Sequence, residues 1–147
     1  LMKSAPDVYP IEQLKADKKT GWDGIRNYQA RNMMRDEMEK GDLVIFYHSN
    51  AKPPGAAGIA EVSKTAHPDP TQFDPKNKYF DAKSDPEAPR WIQVELKYRR
   101  TFRRLIPLAE LRETKGLEKM PLLQRGQRLS IQPVTEKEFE IIRELGS

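Results

Sequence analysis

Residues 91–99 alternate with a period of two. Ile92, Val94, Leu96 and Tyr98 fall on one side, and Gln93, Glu95, Lys97 and Arg99 on the other. That pattern belongs to a strand with one face on a core and the other in water. Other segments must supply the sheet around it. Residues 43–47 (Leu-Val-Ile-Phe-Tyr) form a continuous run of strand formers and read as a central strand. Residues 57–64 read as the next strand, with Val62 out of phase with Ile59. Residues 129–134 read as a late strand in which Pro133 marks an edge or a bulge. Leu1 and Met2 read as the tail of a first strand, turned by Pro6.

Short helices separate these strands. Residues 11–16 carry Ile11 and Leu14 on one side. Asn27 is placed to cap a helix over 28–39 that Gly41 ends, with Met33, Met34 and Met38 as gap-filling core. Pro107 opens a helix over 108–112. Thr135 and Glu138 form a capping box for a closing helix that buries Phe139, Ile142 and Leu145. No strand–helix unit repeats, so a doubly wound parallel sheet is excluded. The expectation is an α+β chain: a small, partly open mixed or antiparallel barrel with flanking short helices, folded as one domain over residues 1–147. Residues 65–90 carry five prolines and no periodicity. Phe73, Tyr79 and Phe80 predict that this segment packs back onto the body.

Several function classes fall away. The chain has no cysteine, which removes disulfides, thiolate chemistry and cysteine-ligated metals. There is no phosphate-binding glycine loop and no nucleophile elbow. His48 and His67 lack carboxylates at ligand or triad spacing, so no metal, cofactor or catalytic residue is expected. Asp23 is the nearest acid or base to the distinctive segment described next. No apolar run is long enough to span a bilayer, so no membrane partner is expected. The apolar runs are accounted for by one core, and a monomer is the default. The net charge of +4 favours a polyanion only weakly.

Residues 22–32 read Trp-Asp-Gly-Ile-Arg-Asn-Tyr-Gln-Ala-Arg-Asn. Trp22 and Tyr28 offer flat faces to a base, and Asn27 offers paired donor and acceptor groups for its edge. Arg26 and Arg31 are within reach of phosphates. A base flipped from its stack needs such a mixture. The simpler reading makes Trp22 and Tyr28 core and Asn27 only a cap; the residues alone leave both open. Arg99, Arg100, Arg103 and Arg104 form the densest positive cluster, either a phosphate clamp or a solvated strand end.

Five blocks in order resemble the EVE domain family, relatives of the PUA fold. They are Lys3-Ser4-Ala5-Pro6-Asp7, the run 22–32, Gly41-Asp42 leading to Phe46-Tyr47-His48-Ser49-Asn50, Pro89-Arg90-Trp91, and Leu129-Ser130-Ile131-Gln132-Pro133-Val134. Two departures stand out. Ala5 replaces the family's usual Glu, and the aromatic pair usual just before Leu1 is absent, which suggests that part of the first strand lies upstream. The resemblance implies a PUA-like barrel whose cleft accepts a modified base, notably methylated or oxidised cytosine in DNA. RNA remains an alternative polymer, and a protein-docking role without catalysis a further one. Carried over residue by residue, the pocket would use Ser4, Trp22, Asn27, Tyr28, Ser49, Asn50, Ser130 and Gln132. Trp22 would stack, Asn27 or Gln132 would read the base edge, and Arg26 and Arg31 would hold flanking phosphates. The expected compartment is the cytoplasm in a bacterium or the nucleus in a eukaryote.

Overall fold

The run at 43–47 forms β3 (Leu43–His48), buried continuously from Val44 to His48. Around it the computed structural model, which describes residues 1–126 and 128–147, builds β1 (Met2–Ser4), α1 (Ile11–Asp17), β2 (Lys19–Gly21), α2 (Tyr28–Glu37), β4 (Gly55–Pro68), β5 (Ile92–Pro107), α3 (Leu108–Glu113) and α4 (Glu136–Leu145). The sheet runs β1-β3-β4-β5-β2. It is mixed, because β1 pairs parallel to β3 and β2 antiparallel to β5. The α+β class and the flanking short helices are therefore as the sequence predicts.

Two compact units divide the chain. The first holds Leu1–Lys18, Leu43–Ala60 and Tyr98–Ser147. An apolar cluster within it joins Ile45 and Tyr47 of β3 to Phe102 and Ile106 of β5, Leu111 of α3, Leu117, Met120 and Ile142. On the opposite side of β3, Phe46 and His48 register with Met2 and Ser4 of β1. His48 is buried, and its Nε2 accepts the Ile11 N–H that opens α1 (3.1 Å). The capping box forms as expected: Thr135 Oγ accepts from Glu138 N–H, and the Glu138 carboxylate accepts from Thr135 N–H. Gly58 is required by crowding, since a methyl there would lie 2.3 Å from the Arg100 carbonyl oxygen.

The second unit holds Lys19–Asp42 and Glu61–Lys97. Helix α2 buries Ala30 and Met34, with Asn27 as its cap. Residues 65–90 are less irregular than the sequence suggests, because β4 continues to Pro68 and a 3₁₀ turn follows at Pro70–Phe73. The packing-back expectation holds for Tyr79 and Phe73, while Phe80 faces outward, 40% exposed.

Three elements differ from the sequence reading. Strand β2 is polar and has no apolar alternation to announce it; its backbone is zipped to β5 at Thr20↔Leu96. Strand β5 runs on through the arginines to Pro107, sustained by backbone pairing after the alternation lapses. The late strand at 129–134 is reduced to the single bridge Met2↔Ile131 with its flanking hydrogen bonds to Leu1 and Lys3.

Burial holds the His48 imidazole below its ordinary value of 6.5, with Glu12 opposing. The unfolded chain thus binds the proton more readily. The stability from neutral His48 is complete above about pH 6.5 and is lost as pH falls toward the lower folded value. Thermal midpoints measured between pH 7.5 and 5.5 are expected to drop more for the wild type than for His48→Gln, which keeps an acceptor for Ile11.

Candidate nucleic-acid interface

In the second unit one fully buried carboxylate organises the segment that carries the distinctive residues. Asp69 Oδ2 accepts from the Gly24 N–H (2.8 Å) and from Arg26 Nη1 (3.1 Å). Its Oδ1 accepts from the Thr71 N–H (2.8 Å) and hydroxyl (2.6 Å). Gly24 has a φ of 79° and lies under the Tyr79 ring, so a side chain there would be both strained and obstructed. Gln72, also buried, donates to the Asp69 and Trp91 carbonyls and accepts from the Trp91 N–H and the Ser84 hydroxyl. Every polar group of that side chain is satisfied, as burial demands.

Trp91 is thereby fixed, with its indole N–H on Asp81 Oδ2 (2.8 Å). That bond and the Lys83 N–H hold the Asp81 carboxyl below the usual range. Trp91 is only 5% exposed, but Tyr28 stacks on it with ring centroids 4.9 Å apart and is itself 51% exposed. The Arg31 guanidinium carbon lies 4.7 Å from the Tyr28 centroid. Asn27 Oδ1 caps α2 by accepting from the Ala30 N–H (3.0 Å), which leaves its amide NH₂ without a partner among the described residues. A half-exposed aromatic ring, an unengaged amide donor and a guanidinium therefore stand together at the start of α2. Asp23 lies in the same segment. Burial and the Asp69 charge raise its carboxyl above the usual range.

The geometry bears on two of the expected roles. Arg26 has all five of its N–H donors in use, by Ile25 O, Tyr79 O, Asp69 and Thr71. Trp22 is 8% exposed and gives its backbone N–H to Val94 O, whereas Tyr28 is 51% exposed. Arg31 is only partly engaged. Its Nε and Nη2 bond Asn32 and its Nη1 bonds the Arg90 carbonyl, which leaves two donors.

The remaining expected residues lie in the first unit. The Ser4 hydroxyl is used on Tyr9 O (2.6 Å), and its carbonyl accepts from the Ser49 N–H. Asn50 is exposed at a turn with a φ of 51°. Ser130 accepts through its carbonyl from the Lys3 N–H. Gln132 is 2% exposed; its Nε2 bonds Leu129 O, and its Oε1 is the one buried side-chain atom without a partner among the described residues. Of the arginine cluster, Arg104 is held by both carboxylate oxygens of Glu110 (2.8 and 2.7 Å), while Arg99, Arg100 and Arg103 are exposed on β5. An open cleft of about 760 Å³ in this unit, lined by Glu118, Lys119, Pro121, Pro133, Val134 and Lys137 among others, contains none of the expected site residues. No group of three histidines or acids suited to a metal occurs among the described residues.

Sequence reasoning missed Trp91 as a site residue, and Asp69 and Gln72 as its supports. Trp91 stands in one of the resembling blocks, whereas Asp69 lies in the aperiodic, proline-rich stretch, where no local pattern sets it apart from Asp74, Asp81 and Asp85.

The EVE domain model matches residues 1–145, and the chain belongs to the EVE domain family. It is 44% identical to human thymocyte nuclear protein 1 over 163 residues, covering 99% of this chain and 72% of that one. A protein from Pseudomonas putida has a crystal structure with a TM-score of 0.95 at 44% identity, covering 100% of this chain and 98% of its own. Human THYN1, solved in complex with DNA containing 5-methylcytosine, gives a TM-score of 0.89 at 43% identity, with coverage of 99% and 95%.

Replacing Asp69 with Ala leaves Arg26 without its counter-charge and orphans the Gly24 and Thr71 N–H groups. The expected loss, measured by denaturant unfolding, is about 3–5 kcal/mol, typical of breaking a buried pair from one side.

Proposed function

We propose that this protein binds modified bases in DNA, methylated or oxidised cytosine, by taking up a base that has left the stack. The observation that carries this reading is the half-exposed Tyr28 ring seated on the immobilised Trp91 with Arg31 beside it. The DNA-bound human THYN1 structure, at 43% identity over nearly the whole chain, supports the same reading.

Tyr28 supplies the π face. A stacked base is worth about 1–3 kcal/mol and does not need a particular sequence. The Asn27 amide donates to the base edge while its carbonyl oxygen stays on the helix. The two unengaged donors of Arg31, with exposed Arg100 and Arg103, serve phosphates. Ser49, Asn50 and Gln132 are assigned to polar base contacts by the family resemblance. A methyl group on the base adds about 1–3 kcal/mol by fitting an apolar wall. The role is that of a binding domain, with no catalytic residue assigned. No helix among the described residues is long and apolar enough to cross a membrane.

The test is a titration with matched oligonucleotides carrying cytosine, 5-methylcytosine or 5-hydroxymethylcytosine, in DNA and in RNA, at fixed salt. Tighter binding to a modified DNA is expected. Preference for RNA would transfer the reading to an RNA-binding module, and equal affinity for all would leave only phosphate binding. Tyr28→Ala is expected to weaken binding by roughly 5- to 150-fold, equivalent to about 1–3 kcal/mol, with a small drop in melting temperature from the lost Trp91 contact, whereas Tyr28→Phe keeps the affinity and the contact.

A further inference from the structure

With Arg26 consumed internally, the phosphate contacts must come from other cations. Most ion pairs among the described residues join a cation to a carboxylate at or near the surface: Arg35 to Asp36, Arg90 to Asp81, Lys97 to Glu61, Arg104 to Glu110 and Arg143 to Glu140. Lys3 differs from all of these. It is half-buried on β1, and its ammonium has no carboxylate or hydrogen-bond acceptor among the described residues.

The strand register shows what surrounds it. Lys3 is the Cα partner of Tyr47 in the parallel β1–β3 pair. On its other side its N–H bonds Ser130 O (2.8 Å), two residues along from the reciprocal backbone bonds of Leu1 and Gln132. Residues directly opposite each other project from the same face of a sheet. Lys3, Tyr47 and Ser130 therefore form one row. The preceding row begins with Leu1 and Gln132, both buried, and Leu1 belongs to the first unit's core cluster. Lys3 stands where that core gives way to solvent.

The row contains donors and no negative charge. The Tyr47 and Ser130 hydroxyls have no acceptor among the described residues. Burial raises the Tyr47 phenol above its usual range, so it stays a neutral donor, and the positive charge of Arg112 reaches it. Burial also lowers the Lys3 ammonium from its usual value. Tyr47 is 2% exposed in the core cluster, so half-buried Lys3 and Ser130 are the members of the row that an external oxyanion can reach.

We propose that Lys3, with Ser130 opposite it on the neighbouring segment, holds a backbone phosphate of the bound nucleic acid. This rests on the nucleic-acid reading above but assigns a contact which that reading leaves out. A phosphate contact acts on all sequences alike and sets the salt dependence, whereas a base contact acts on discrimination.

The experiment measures affinity against salt concentration for two fluorescein-labelled duplexes, one with 5-methylcytosine and one with cytosine. Wild type, Lys3→Met and Lys3→Arg are compared. Lys3→Met keeps the aliphatic stem over the core rim and removes the charge. It is expected to lower the magnitude of the log–log salt slope by about 0.9 and to weaken both duplexes equally, roughly fivefold near 0.15 M salt. Lys3→Arg is expected to restore both. Should Lys3→Met fail to fold, Ser130→Ala supplies the test, with equal weakening of both duplexes expected and selective weakening of one overturning the proposal. Unchanged slope and affinity in Lys3→Met would overturn it, leaving a lysine that merely reaches past the core to water. So would a loss confined to the methylated duplex at constant slope. Wild type binding both duplexes equally would refute the base-reader role while leaving the Lys3 contact standing or falling on its slope; wild type binding neither would refute both.

Discussion

The second unit depends on a buried carboxylate. Asp69 has no solvent exposure and accepts from four donors, one of them the Arg26 guanidinium. A lone carboxylate cannot be buried at tolerable cost. The surrounding chain is therefore constrained to bring it donors: Gly24 at positive φ, the Arg26 guanidinium and Thr71 at the start of a 3₁₀ turn. These three residues tie the Trp22–Arg26 segment to the segment between β4 and β5. A proline-rich stretch with few apolar side chains is ordered by polar contacts where a hydrophobic core would otherwise be needed.

The consequence for function runs through Gln72 and Trp91. Gln72 bonds both the Asp69 carbonyl and the Trp91 backbone, and Asp81 fixes the indole. Trp91 is thus a rigid support, and Tyr28 can be left half-exposed without becoming a floppy surface ring. Preorganisation of this kind means that less side-chain entropy is lost when a base stacks. The charges follow the same division of labour. Arg26 holds the protein together, while Arg31 keeps donors in reserve.

Much of this was legible beforehand, and the reasons are local. The cap at Asn27, the capping box at Thr135 and Glu138, and the alternation of Ile92 to Tyr98 are each decided by residues within one or two turns of each other. The five resembling blocks identified the family because they recur in order along the chain. What could not be read was non-local. Strand β2 is polar and exists because β5 offers it a backbone edge. The 129–134 segment has strand composition, but its pairing with β1 is limited to the bridge Met2↔Ile131 and its flanking bonds. Arg26 and Arg31 look alike in sequence, and only their distant partners, Asp69 and Tyr79 against Asn32 and Arg90, separate a structural role from an available one.

The sequence by itself determined the α+β element order, the helix caps and the membership of the EVE family, because periodicity, capping and ordered motifs are properties of neighbouring residues. Tertiary structure alone decided which aromatic ring is open and which cations are free. Exposure and hydrogen-bond saturation depend on residues forty to sixty positions away: Trp91 lies 63 residues beyond Tyr28, and Asp69 lies 43 beyond Arg26. No local pattern records those meetings; the buried polar network that enforces them does.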